Sequence, residues 1–329
     1  MRATDLVDVV EAAYVPHTPR VWLEHVASTL TPLLDRGNGL LCYGFDAREM
    51  GVIQLEAPVF AGAGVEVWGA MQGATEGLDP RAVRRTYLGS QPFGTVAQRF
   101  VGSTRRIFSE LAQRHYAPNG FSDLLVLHVV AGDRRGCLFA APLSRSLAAS
   151  RKEITLWSRV AAHLRAGYAS SLRHGDDVEA SDAILEPDGR ILHASGFAKT
   201  PLGRETLRHV VRSAERARTS RARQDASRAL DLWQELIAGR WTLIQRFDAD
   251  GRRFLLARRN TDEVQRYVQL TCREQEIAQR VLNGDSNKRI AHDLLVSEAT
   301  ISERLENMLS KLNLHSVGEL RAVLAQPRK

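Results

Sequence analysis

The chain has 329 residues, 44% of them hydrophobic and 25% charged, with a formal net charge of +7. This length predicts two or three domains, and the apolar content suffices for packed cores, which excludes a disordered or fibrous chain. Three scattered cysteines, Cys42, Cys137 and Cys272, form no disulfide framework or metal spacing, and no apolar run reaches bilayer length; the expectation is a soluble cytoplasmic protein with no membrane partner and no cofactor.

The first helix carries Asp5, Asp8 and Glu11, and a second, amphipathic one runs from Val21 to Leu34. Gly37-Asn38-Gly39 breaks it ahead of a strand at Leu40 to Phe45. Val52 to Leu55 and Val65 to Trp68 are further strand candidates, and Thr95 to Arg114 reads as helix. Two stronger strands follow, Asp123 to Val130 and Gly136 to Ala141, with a hairpin turn between them. A long helix from Lys152 to Arg173 keeps Ile154, Trp157, Val160, Ala161, Leu164 and Tyr168 on one face. In order of elements, residues 1–175 resemble GAF-like sensor domains, a likeness of pattern that implies an α+β sensor or dimerisation domain. Trp22, Tyr43, Phe60, Trp68, Tyr87 and Phe93 are either core or the lining of a pocket for a small-molecule effector.

No catalytic constellation can be assembled. His25, His115, His128, His163 and His174 form no pair at metal or catalytic spacing, and neither a phosphate-binding glycine loop nor a nucleophile elbow occurs. A phosphoacceptor receiver would need an early acidic pair and a strand-terminal Asp; Asp5, Asp8 and Glu11 lie in a helix, and Asp46 follows the wrong kind of strand. The expectation is that the chain is not an enzyme.

Residues 176–262 read as a small α+β unit resembling the start of PAS-like modules, yet too short for a full one. A hairpin with Pro187-Asp188-Gly189 at its turn precedes helices near 203–218 and 226–238, and a second hairpin turns at residues 248–251. Arg204, Arg208, Arg212 and Arg216 recur every four residues, making a basic stripe that is either a solvated face or a seat for phosphate or an acidic partner.

The last segment, 263–329, reads as an all-α unit of four short helices. Thr271 with Glu274 forms a capping box, and Ile277, Val281 and Leu282 supply the stripe behind it. Gly284 stops that helix and Ser286 starts a second, with Ile290, Ala291 and Leu294 inside. Only Leu295 and Val296 intervene before Ser297 caps a third helix, whose inner face is Ile301, Leu305, Met308, Leu309 and Leu312. Ser316 with Glu319 opens a fourth. So tight a turn between the second and third helices is the geometry of a helix-turn-helix.

Leu270-Thr271-x-Arg273-Glu274, Gly284-x-Ser286-Asn287-Lys288, Ile290-Ala291, Ser297-x-x-Thr300 and Lys311-Leu312 together resemble the LuxR-type helix-turn-helix over about 270–320. The resemblance implies a bacterial transcription regulator that binds double-stranded DNA at an inverted-repeat operator, as a homodimer paired through Val317, Leu320 and Val323, with RNA polymerase as a further partner. Carried onto this chain, the DNA-facing candidates are Lys288, Arg289, Ser297, Thr300, Ser302, Glu303, Arg304, Glu306 and Lys311. The Trp, Tyr and Asp pattern of the family's acyl-homoserine-lactone sensors is not found in the N-terminal region. Two positions where the family usually has a basic residue and a His hold Ser302 and Arg304. Only +1 of the net charge falls in residues 270–329, so the phosphate-neutralising contribution is small. The alternative left open is a protein-interaction regulator that keeps the helix-turn-helix fold for dimerisation or partner binding.

Overall fold

The computed structural model describes residues 5–15, 17–49, 52–76, 78, 86–89, 91–100, 104–131, 134–173, 181–238, 241–248, 250–259, 272–282, 284–294, 296–311, 314 and 316–320. The chain divides into two compact units, residues 1–87 with 92–260 and residues 88–91 with 261–329.

The larger unit starts with α1 (Leu6–Ala13), closed by a capping box. Asp5 Oδ1 accepts from the Val7 and Asp8 N–H groups while Asp8 Oδ2 accepts from the Asp5 N–H. Pro19 begins α2 (Pro19–Leu34), where its missing N–H is one of the unpaired donors of any helix start. Beyond α2, Asp35 Oδ1 gathers the N–H groups of Gly37, Asn38 and Gly39. Gly39 has φ +75°, and a Cβ there would overlap the backbone of Gly62, so this turn demands glycine.

Six strands follow: β1 (Leu40–Asp46), β2 (Gln54–Leu55), β3 (Val59–Ala61), β4 (Phe93–Thr95), β5 (Asp123–Val130) and β6 (Arg135–Leu143). They pair antiparallel in the order β2-β1-β6-β5-β4, with β3 also on β1. Helices α3 (Val65–Glu76), α4 (Val96–Arg99) and α5 (Arg105–Leu111) lie between strands, and α6 (Arg151–Arg173) follows the sheet. Cys42, Leu127, Cys137 and Phe139 join α1, α2 and α6 in one core. The alternate residues Tyr43, Phe45, Leu124, Val126 and Leu138 are buried too, on the opposite face. Burial on both faces is why these strands read as unbroken apolar runs.

The structure corrects three expectations. Val65 to Trp68 is the start of α3, not a strand: Val67, Ala70, Met71 and Ala74 are its buried positions, a helical spacing interrupted by Gly69 and Gly73. Of Val52 to Leu55 only Gln54 and Leu55 pair. The helix expected from Thr95 to Arg114 is not continuous. Thr95 ends β4 and caps the four-residue α4, and α5 runs on into a π-turn at Ala112–Tyr116 and a 3-10 turn at Ala117–Asn119. The short β3 and β4 had no sequence counterpart, since three residues are too few for a period to register.

In the second half of this unit, β7 (Ala183–Leu185) and β8 (Ile191–Ala194) form the first expected hairpin, with Gly189 at φ +90° in its turn. Next come α7 (Pro201–Ala217), α8 (Ser220–Arg223) and α9 (Ala226–Ala238), then β9 (Trp241–Phe247) and β10 (Arg253–Arg259). The two hairpins unite in one sheet, β8-β7-β10-β9. On α7 the four arginines of the basic stripe are exposed, and Leu207, Val210, Val211 and Ala214 are buried opposite them.

One apolar cluster runs through both sheets, from Trp22 and Leu164 to Leu185, Leu207, Trp233 and Leu255. Tyr14 stacks on Trp233 with ring centroids 5.8 Å apart. Arg223 ties α8 to α1, its guanidinium meeting Asp5 (3.1 Å), Asp8 (2.7 Å) and Glu11 (2.8 Å). The boundary expected at 175 lies in residues 174–180, outside the described residues. His163 Nδ1 sits 2.9 Å from the Tyr14 hydroxyl, and burial pulls its pKa down to about 3, so the imidazole is neutral near pH 7. Among the described residues no helix is long and apolar enough to cross a membrane.

Candidate nucleic-acid interface

The smaller unit is built from α10 (Cys272–Leu282), α11 (Asn287–Leu294), α12 (Glu298–Lys311) and a helical turn at 317–320. Thr271, the expected first cap, lies outside the described residues; its partner Glu274 is buried. Gly284 takes φ +83° and the Asp285 N–H reaches back to the Arg280 carbonyl at 3.0 Å, so the first helix ends in a left-handed stop. Ser286 Oγ then accepts from the Arg289 N–H (3.3 Å) and starts α11. After the turn, Ser297 Oγ accepts from the Thr300 N–H (3.1 Å), and the two hydroxyls meet at 2.8 Å.

The core under these helices is Ile277, Ala278, Val281, Ile290, Ala291, Ile301, Leu305, Met308 and Leu320, with Leu294, Val296, Leu309, Leu314 and Val317 packed against it. The expected inner faces thus meet; Leu282 is half-buried, and Leu312 lies outside the described residues. A bracket from Arg280 Nη2 to Asp293 (2.9 Å) clips α10 to α11. Burial works to raise the Asp293 pKa, but hydrogen bonds from His292 and Arg280 outweigh it and hold the carboxyl below its ordinary value.

This core leaves one side of α12 facing outward. Glu298, Glu303 and Glu306 are exposed there, Ser302 and Arg304 are half-buried, and Lys311 is the last residue of the helix. Lys288 and Arg289 are exposed on α11, with Arg289 3.7 Å from Asp285. Ser297 and Thr300 stand at the N-terminus of α12, where the helix dipole and free N–H groups favour an anion such as phosphate. Asn287 Nδ2 donates to Ser302 Oγ at 3.4 Å, which ties the start of α11 to α12. Of the expected dimerisation residues, Leu320 is fully buried in the unit's own core and Val317 is half-buried against it. Leu320 is therefore a packing residue rather than an exposed contact; Val323 lies outside the described residues.

Sequence reasoning missed Asn307. It is exposed on α12, one helical turn beyond Glu303, and carries both a donor and an acceptor. Counting four residues on from Glu303 was the signal available. Groups that pair with adenine in the major groove are of this kind.

Residues 268–324 match the family described as bacterial regulatory proteins, luxR family. The chain is similar to the uncharacterized transcriptional regulatory protein YhcZ of Bacillus subtilis, 42% identical over 52 residues, covering 16% of this chain and 24% of that protein. It is also similar to the Fimbriae Z protein of Salmonella typhimurium, 49% identical over 51 residues, covering 16% of this chain and 24% of that one. The chain thus spans about a quarter of the length of these curated relatives. Among solved structures, Escherichia coli SdiA aligns over 93% of this chain and 88% of that one at 12% identity, with a TM-score of 0.28, too low to bear on the fold.

Proposed function

We propose, from the premise that residues 268–324 form a LuxR-type helix-turn-helix domain, that the chain is a bacterial transcription regulator binding duplex DNA through α12. The observation that carries this reading is the exposed face of α12, held out by a closed apolar core and entered through the Ser297 cap. A helix so presented fits the major groove. Ser302, Glu303, Glu306 and Asn307 are then placed to read base edges, since a carboxylate accepts from cytosine N4. Lys288, Arg289, Arg304 and Lys311 hold phosphates, with the N-terminus of α12 at Ser297 and Thr300 adding N–H donors. Two copies, paired through the fourth helix at Val317, with Val323 as a further expected contact, would read an inverted repeat.

In the same proposal, residues 1–175 are the GAF-like sensing and dimerising region, 176–262 a small α+β unit, and 263–329 the DNA-binding domain. Control comes from a small molecule or from dimer state rather than from phosphorylation; the engagement of Asp5 and Asp8 with Arg223 supports this, because these acids serve a structural clasp. One observation favours a second reading. Three exposed glutamates on α12 repel a polyanion and suit a basic protein partner, so a regulator acting by protein contact is the rival. An electrophoretic shift of the full chain on random duplex, read across a salt series, tests the proposal. Retention that falls with salt and depends on Arg304 supports DNA binding; no retention at low salt favours the rival.

A further inference from the structure

The face of the first sheet turned toward α3 borders a partly open cavity of about 30 Å³, room for roughly two water-sized groups. Its walls are mostly apolar, with Phe100, Phe108, Leu124 and Val126 among them, and among the described residues no Asp or Glu lines it. Three of the hydroxyls in it are already matched. Thr75 Oγ1 lies 2.8 Å from the Met71 carbonyl, to which it donates. Tyr87 Oη lies 3.0 Å from Thr75 Oγ1, and Tyr43 Oη lies 3.0 Å from Tyr87 Oη. Three hydrogens thus serve three contacts.

Arg99 is different. Its Nη1 donates to the Thr86 carbonyl at 2.9 Å. Its Nε and Nη2 are shut off from solvent and meet no hydrogen-bond partner among the described residues. Burial pulls the Arg99 pKa down to about 10, which leaves the side chain cationic near neutral pH. An unpaired buried guanidinium is costly, and its Nε and Nη2 edge is the fork that binds a planar carboxylate with two parallel hydrogen bonds.

We propose that this cavity is a binding site for a small carboxylate, its two oxygens on Arg99 Nε and Nη2 and its short apolar body against Phe100 and Phe108. The small volume sets the scale of the ligand, and the apolar walls separate it from a bare inorganic anion. This deepens the sensing role given above to residues 1–175 and rests on it.

Thermal unfolding of the full chain with sodium acetate, acetamide or sodium nitrate tests the site, with retention of duplex DNA measured alongside. Acetate is expected to raise Tm with concentration, by roughly 5–10 °C at a hundred times its Kd; acetamide and nitrate are expected to do little. Arg99→Met should abolish the acetate response while the ligand-free Tm holds or rises, because an unpaired buried charge is removed. Ala74→Leu, which fills the cavity from α3 and leaves Arg99 in place, should abolish it as well and decides the matter if Arg99→Met does not fold. An equal shift with acetamide or nitrate, an acetate shift surviving either substitution, or no acetate shift in the unaltered chain overturns the proposal. DNA retention without an acetate shift removes the ligand site alone, and an acetate shift without retention removes the DNA-binding reading alone.

Discussion

Ser297 and Arg280 show how single side chains set up the exposed helix. Ser297 supplies the N-cap of α12, so Ser297→Ala is expected to cost about 1 kcal/mol of stability as well as any phosphate contact. Ser297→Asp keeps the cap and adds a charge; it should restore melting but not DNA affinity, and comparing the two variants by calorimetry and binding separates the roles. Hydrogen bonds from His292 and Arg280 outweigh burial and hold Asp293 below its ordinary pKa. A carboxylate whose folded pKa is depressed adds stability that is present above its unfolded pKa, near 4, and lost as pH falls through the lower folded value. The unaltered unit should therefore lose stability through the acid range below pH 4, and Arg280→Ala should flatten that part of the pH profile. A profile identical in both proteins would show that the bracket contributes nothing. The sequence displayed Arg280 and Asp293 but not their pairing, because thirteen residues and a turn separate them.

At the scale of elements, legibility followed length and period. Helix α12 and strands β5 and β6 were plain, since each repeats its pattern several times. Val65 to Trp68 misled, because four residues reading Val, Glu, Val and Trp satisfy a strand, and the helical positions Ala70 and Met71 lie beyond Gly69, with Ala74 beyond Gly73. The DNA-facing candidates came from a dense local motif, whereas Arg99 gave no signal: its meaning depends on walls from α3, β5 and β6, far apart in the chain. Ile290 and Leu305 are buried where α11 and α12 meet, and truncating either to Ala should cost roughly 2–5 kcal/mol through cavity formation, read as a lower midpoint in urea. A change under 0.5 kcal/mol would mean that the interior is loosely packed. In the larger unit, Arg223 faces three carboxylates of α1. Arg223→Ala should cost roughly 1.5–3 kcal/mol, more in low salt than in high; an unchanged Tm in low salt would show that the clasp is cosmetic.

For the whole molecule, the shared core of residues 6–257 decides how the chain can be cut. Deleting residues 1–175 strips Trp22, Leu164 and Tyr14 from Leu185 and Trp233, so what remains of 176–260 is expected to unfold. A cut near 261 leaves the core of the smaller unit complete, and residues 261–329 should melt cooperatively as a helical unit. Two folded products from the cut at 175, judged by circular dichroism and proteolysis, would contradict this. Reading of duplex DNA by α12 is tested most directly by selection of the full chain against a random duplex library at fixed salt, repeated with Glu303→Lys. The expected result is enrichment of an inverted repeat with half-sites about one helical turn apart, whose base preference blurs while overall retention rises in the variant; no enrichment by the unaltered chain, or one identical in the variant, would contradict the claim.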